Sequence, residues 1–197
     1  MRYLLIGWLA FFSMGCSVVV EQPALHDFGL AVPTPAYQSK AYGSQLTPLT
    51  YVPVGKASIN VNAPTWLWDN RIRYRLLFAS PSRVRFYGLD RWIASPPEMF
   101  EQLLASGGKT RDYALIIRLQ DFEQQFDAPD RARVVLRFTV EAYSGNNKQK
   151  VGTQEFYLQQ PTKTPDAAGA IIGFIDLAHK ATERIQDWVA GLSDHPK

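Results

Sequence analysis

Between Arg71 and Tyr87 the chain alternates in character residue by residue. Ile72, Tyr74, Leu76 and Phe78 interleave with Arg71, Arg73 and Arg75, the two-residue period of a strand buried on one side. Ser80-Pro81-Ser82 supplies a turn, after which Val84 and Phe86 alternate with Arg83, Arg85 and Tyr87. The pattern predicts a β-hairpin with one basic face. Further on, Tyr113-Ala114-Leu115-Ile116-Ile117-Arg118-Leu119 carries apolar residues at both parities, as a central strand covered on two sides would. Ala132, Val134, Leu136, Phe138, Val140 and Ala142 then alternate with Arg131, Arg133, Arg137, Thr139 and Glu141. Ser144-Gly145-Asn146-Asn147 turns the chain into a third strand from Val151 to Leu158, which completes an antiparallel meander. Shorter strand-like runs lie at Leu25–Leu30, Leu49–Val54 and Ala57–Val61, and the Pro-, Ser- and Gln-rich stretch from Val32 to Pro48 reads as a loop.

Two segments change to a helical period. Ser95-Pro96-Pro97-Glu98 combines a capping serine, prolines in a first turn whose amides lack partners anyway, and a glutamate placed to close a capping box. Phe100, Leu103 and Leu104 share a face of this helix, and Gly107-Gly108 ends it. Thr164-Pro165-Asp166 opens a long final helix with Pro165 at its first position. Its stripe of Ile171, Ile175, Ala178, Ile185, Val189 and Leu192, joined by Phe174 and Trp188, reads as a core-facing one, with an exposed partner-binding helix as the alternative. The order of elements predicts one α/β or α+β domain, a mixed and mostly antiparallel sheet with helices packed on it.

The N-terminus has a different pattern. Arg2 precedes an apolar run from Tyr3 to Phe12, and small residues lead to Cys16, the only cysteine. This is the layout of an export signal. Acylation at Cys16 after cleavage would give a lipoprotein held by several acyl chains, where one chain would hold only marginally. Ser13 and Met14 depart from the usual residues before a lipoprotein cysteine. A retained helix of about 18 apolar residues and a plain secretory signal are the competing readings. The preferred division is a signal at 1–15, a tether at 16–24 and a folded domain at 25–197. Extended at roughly 3.3 Å per residue, the tether would let the domain stand about 30 Å from the membrane. Ser17, in place of the aspartate that retains lipoproteins at the inner membrane, favours the outer membrane.

Losing 15 of 197 residues leaves enough chain for one real core, and with a single cysteine no intramolecular disulfide can supplement it. Loss of Arg2 leaves 20 basic and 18 acidic residues, a balance that argues against nucleic acid as a partner. His26, His179 and His195 lie far apart in the chain and lack metal-ligand spacing. Gly107-Gly108-Lys109-Thr110 follows a helix instead of opening one, so it reads as a turn and not a phosphate loop. Asp121, Glu123, Asp127 and Asp130 gather near an inter-strand loop without the spacing of a calcium site. No nucleophile and base arrangement suggests an enzyme, and no cofactor is expected. The surface feature with functional promise is the arginine ladder. Arg71, Arg73, Arg75, Arg83 and Arg85 on one hairpin face would suit phosphates or acidic partner surfaces, or would be salt-bridged. Trp92, just before the helix start, would pack in the core or contact a ligand or partner.

The chain resembles the ABC-type transport auxiliary lipoproteins, the PqiC/YmbA-like family. The resemblance runs from Cys16 and Asp27-Phe28-Gly29-Leu30 through Pro64-Thr65-Trp66-Leu67 and the Ile72–Phe78 strand to Arg91-Trp92-Ile93-Ala94-Ser95-Pro96-Pro97-Glu98-Met99-Phe100, then the meander and the helix with Trp188. It implies a lipid-anchored protein at the periplasmic face of the outer membrane, an accessory to an Mce-type ABC system that moves lipids between membranes. The implied partners are an Mce-type transport protein, the membrane, phospholipid and further copies of the chain. A structural lipoprotein of an envelope assembly or secretion complex is the alternative.

Overall fold

The computed structural model describes residues 21–29, 58–107, 113–144 and 149–193. The signal with Cys16, the Val32–Pro48 loop, the run at Leu49–Val54, Lys109-Thr110, the turn at 145–147 and His195 lie outside them. Seven strands form one mixed sheet: β1 (Ala24–His26), β2 (Ile59–Asn62), β3 (Arg71–Leu76), β4 (Val84–Trp92), β5 (Tyr113–Ala128), β6 (Arg131–Ser144) and β7 (Lys150–Pro161). Helix α1 (Pro96–Ser106) follows β4, and α2 (Ala167–Ser193) follows β7. The order across the sheet is β1-β4-β3-β5-β6-β7, with β2 also paired to β5.

The sheet consists of a hairpin and a meander joined side by side. β3 and β4 are antiparallel, as are β5, β6 and β7, whereas β3 lies parallel to the end of β5 and β2 parallel to its start. β1 runs parallel to β4 at the far edge. The expected first strand therefore stops at His26. Phe28 then turns into the core, 1% exposed, and Gly29 takes a φ of 61°, a left-handed conformation that glycine adopts without a Cβ clash.

Alternation decides which side of the sheet is covered. On β5 and β6 the register sets Leu115 opposite Ala142, Ile117 opposite Val140, Leu119 opposite Phe138 and Phe122 opposite Leu136, all buried. Between Leu119 and Asp121 a bulge shifts the register, so that Phe122 keeps to the core side although its parity differs from that of Leu119. Against this face α1 packs Met99, Phe100, Leu103 and Leu104, and α2 packs Ala170, Phe174, Leu177, Ala178 and Ile185. Among the described residues the opposite face of β5 carries no helix, and there Arg118 is exposed and Ile116 only partly buried. Where the sequence predicts cover on both sides of this strand, the described residues cover one. Its mixed apolar character reflects a central place in a two-layer fold.

Both helix starts depend on side chains near the first turn. Glu98 Oε2 accepts hydrogen bonds from the Ser95 backbone N–H at 2.9 Å and from Ser95 Oγ at 2.6 Å. Those bonds to Ser95 hold the Glu98 carboxyl below its usual range, against a smaller opposing effect of burial. Because its folded pKa is depressed, the stabilisation is present above the ordinary glutamate value and is lost as pH falls through the folded one. Ser95→Ala is expected to cost about 1 kcal/mol at neutral pH and less in acid, a difference that urea titrations at the two pH values would measure. At α2 the capping residue is Asp166, whose Oδ1 accepts from the Gly169 N–H at 2.8 Å and from Thr164 Oγ1 at 2.7 Å. The helix begins at Ala167, so Pro165 stands just outside it and not at its first position. Gly107 closes α1 with a φ of −72°, so conformational freedom is not its reason. A Cβ there would come within 2.5 Å of Gln186 Nε2 on α2.

Candidate functional site

The uncovered face of the sheet holds a groove of about 370 Å³ over β3, β4 and the middle of β5. A short 3-10 turn at Thr65–Leu67 borders it and presents Trp66, 61% exposed, above a buried Leu67. Arg71, Arg73 and Arg75 line the groove from alternate positions of β3, and Val84 and Phe86 line it from β4. Register explains this set. Arg73 is opposite Phe86 and Arg75 opposite Val84, so those four side chains share a face.

The same register corrects the five-arginine ladder. Arg85 is opposite Tyr74 and belongs to the other face, where Tyr74 packs on Tyr87 and Phe126. Arg83 precedes β4 and is exposed. Only Arg71, Arg73 and Arg75 come together. Phe86 tolerates the open face because the Arg71 guanidinium lies 3.7 Å from its ring centroid, and that of Arg73 lies at 5.5 Å.

Carboxylates answer most of this positive charge. Asp69 Oδ2 accepts from Arg71 Nη2 at 2.7 Å and from Arg73 Nη2 at 2.9 Å. Burial works to raise the Asp69 pKa, but the hydrogen bonds from Arg71 and Arg73 outweigh it and the net shift is downward. Glu123, itself buried, receives Arg75 Nε at 3.0 Å on each oxygen. Asp121 is paired with Arg137, and Asp127 with Arg133. Of the acidic residues that read as an inter-strand loop, Asp130 lies in the turn before β6, whereas Asp121, Glu123 and Asp127 are members of β5, which extends to Ala128 and sets them toward neighbouring arginines. Asp69 serves two guanidinium groups at once, one of them on Arg73, which is only 6% exposed. The groove is thus a salt-bridged strand face whose lining sets Arg71, Arg73 and Arg75 against Asp69, Asp121 and Glu123. Gln120 lines it too, and its buried Oε1 has no hydrogen-bond partner among the described residues.

Trp92 is not part of this surface. It is fully buried, with ring centroids of Phe28, Phe122 and Phe174 at 5.4, 6.0 and 5.8 Å, so the contact reading gives way to core packing. His26 Nε2 lies 2.9 Å from Asp90 Oδ1, and His179 Nε2 donates to the Phe28 carbonyl, fastening the segment after β1 to α2. Sequence reasoning missed Asp69, Phe86, Glu123 and Trp66 as members of the groove. Arg/Glu pairing across strands would have been the available signal for Glu123, but only once the β3–β5 register was known.

No family model matches the chain, and no curated protein matches its sequence. Solved structures do share the fold. Protein XCC0632 from Xanthomonas campestris, described under the family model DUF330, superposes with a TM-score of 0.61 at 16% identity, over 75% of this chain and 90% of that one. A second, an uncharacterized protein, gives a TM-score of 0.55 at 12% identity over 70% and 94%. At these identities the likeness is one of fold. Among the described residues no helix is long and apolar enough to cross a membrane.

Proposed function

We propose that the chain is an envelope lipoprotein, held by acyl chains on Cys16 at the periplasmic face of the outer membrane, that serves an Mce-type ABC system trafficking lipid between membranes. The observation that carries this reading is the fold shared with XCC0632, since DUF330 corresponds to the PqiC/YmbA-like family that the sequence resembles from Cys16 to Trp188. In this role the domain docks a partner Mce-type protein and performs no chemistry of its own. The salt-bridged open face is suited to such docking: its ion pairs fix the side chains in place before a partner arrives, and Arg71 and Trp66 remain accessible.

The test has two parts. The mature N-terminus extracted from membranes should begin at Cys16 with acyl chains, and Cys16→Ala should leave an unacylated chain. A crosslinker delivered to the periplasm should capture an Mce-type protein, and Arg71→Glu should reduce that yield severalfold. An acylated chain that captures no such partner and carries no phospholipid would instead be a structural lipoprotein of an envelope assembly.

A further inference from the structure

Large apolar side chains that remain exposed are unevenly distributed. Of the ten that stand at least a third exposed among the described residues, seven belong to β1, β3, β4 and the turns beside them. Three form a compact group. Leu25 of β1 is in register with Arg91 of β4, so the two share a face, and Leu89 and Ile93 stand two residues to either side of Arg91. Leu25 and Ile93 are each 61% exposed and Leu89 is 51% exposed. Their side of the sheet is the open one, because Arg91 is also in register with Arg71 of β3, which lines the groove together with Trp66. Apolar side chains, an exposed indole and two guanidinium groups thus adjoin on one end of one face.

That end is also where the chain enters. β1 follows residues 1–20, which contain the apolar run from Tyr3 to Phe12 and Cys16. Cys16 precedes Leu25 by nine residues, which fully extended span no more than about 30 Å. An anchor at Cys16, or a retained apolar helix, keeps this patch within that distance of lipid.

We propose that Leu25, Leu89 and Ile93 form a membrane-contact surface, inserted in the interfacial layer of the bilayer that holds the N-terminus, with Arg91 beside them against anionic phosphate headgroups. Apolar side chains entering the headgroup boundary gain by leaving water, and basic residues next to them gain from the negative surface. The long arginine stem lets the guanidinium group stay at phosphate level while its methylenes lie along apolar surface. The contact would hold the sheet edge down on the lipid and orient the domain. It rests on the anchored reading given above.

The full chain carrying Leu89→Cys, labelled there with an environment-sensitive dye and reconstituted into vesicles of phosphatidylethanolamine and phosphatidylglycerol, tests it. Ile172→Cys on α2, also well exposed, is the control from the other layer. Dye at position 89 should brighten at least about threefold over position 172, as expected for transfer from water to the interface. Leu25→Glu with Ile93→Glu should abolish most of the difference, and both substitutions fall on exposed sites where folding is little affected. Equal emission at 89 and 172 overturns the proposal, as does brightening that occurs without vesicles and grows with protein concentration, which would mark contact between copies. Dye stoichiometry and intact mass keep the two readings apart: one dye on a chain that begins at Cys16 with acyl chains means the anchor is in place, and two dyes mean that Cys16 is free, whatever position 89 reports.

Discussion

Trp92→Ala should lower the unfolding free energy by about 3–5 kcal/mol, read as a fall in the urea midpoint with an unchanged slope. The ring lies at the meeting point of three elements besides its own: Phe28 after β1, Phe122 on β5 and Phe174 on α2. Removing it empties a space that none of these can fill alone, because each is held by its own strand or helix. Trp92→Phe provides the contrast. The indole N–H is buried without a hydrogen-bond partner among the described residues, so phenylalanine gives up ring volume but also removes a poorly satisfied donor. Its cost should stay below about 1.5 kcal/mol. A Trp92→Phe variant as unstable as Trp92→Ala would mean that the indole nitrogen has a partner which the described residues do not include.

The same residue shows how far sequence reasoning reached. A tryptophan ahead of a capping serine reads naturally as core or as contact, and only the neighbours that long-range pairing brings to it decide between them. The helices, the hairpin and the meander were legible because their periods are local. Hairpin facing was not. Val84 and Phe86 look like inward residues, yet they accompany Arg73 and Arg75 on the open side, since guanidinium planes cover the Phe86 ring. The inward places opposite Tyr74 and beyond go to Arg85 and Tyr87, a choice made by strand register, which the alternation alone leaves free by one residue. Likewise Asp121 to Asp127 resembled a loop because the acidic character suits solvent. In the fold it suits arginines of β3 and β6, and the chain stays in β5 to reach them.

Gln124→Leu should cost about 2–4 kcal/mol, although leucine fills much the same space. Gln124 is fully buried on β5, where its Oε1 accepts from Tyr87 Oη at 2.6 Å and its Nε2 donates to the Asp166 carbonyl and Thr162 Oγ1 at 3.4 Å each. The short bond is the dominant one, and its loss leaves a half-buried phenol without that partner. Tyr87→Phe in the Gln124→Leu background should therefore recover part of the loss, because two apolar partners leave no hydroxyl unsatisfied. A second signature separates this from simple mispacking. Burial, with smaller contributions from Tyr74, Asp166 and Asp90, pushes the Tyr87 pKa well above the ordinary tyrosine value. A raised folded pKa means stability that is fully present below the unfolded value, near 10, and lost as pH rises through and beyond it. Urea midpoints of the parent chain should thus decline above about pH 10, and Tyr87→Phe should flatten that decline. If the alkaline decline is unchanged in Tyr87→Phe, the phenol is not the group that titrates, and the Gln124 cost must come from packing alone.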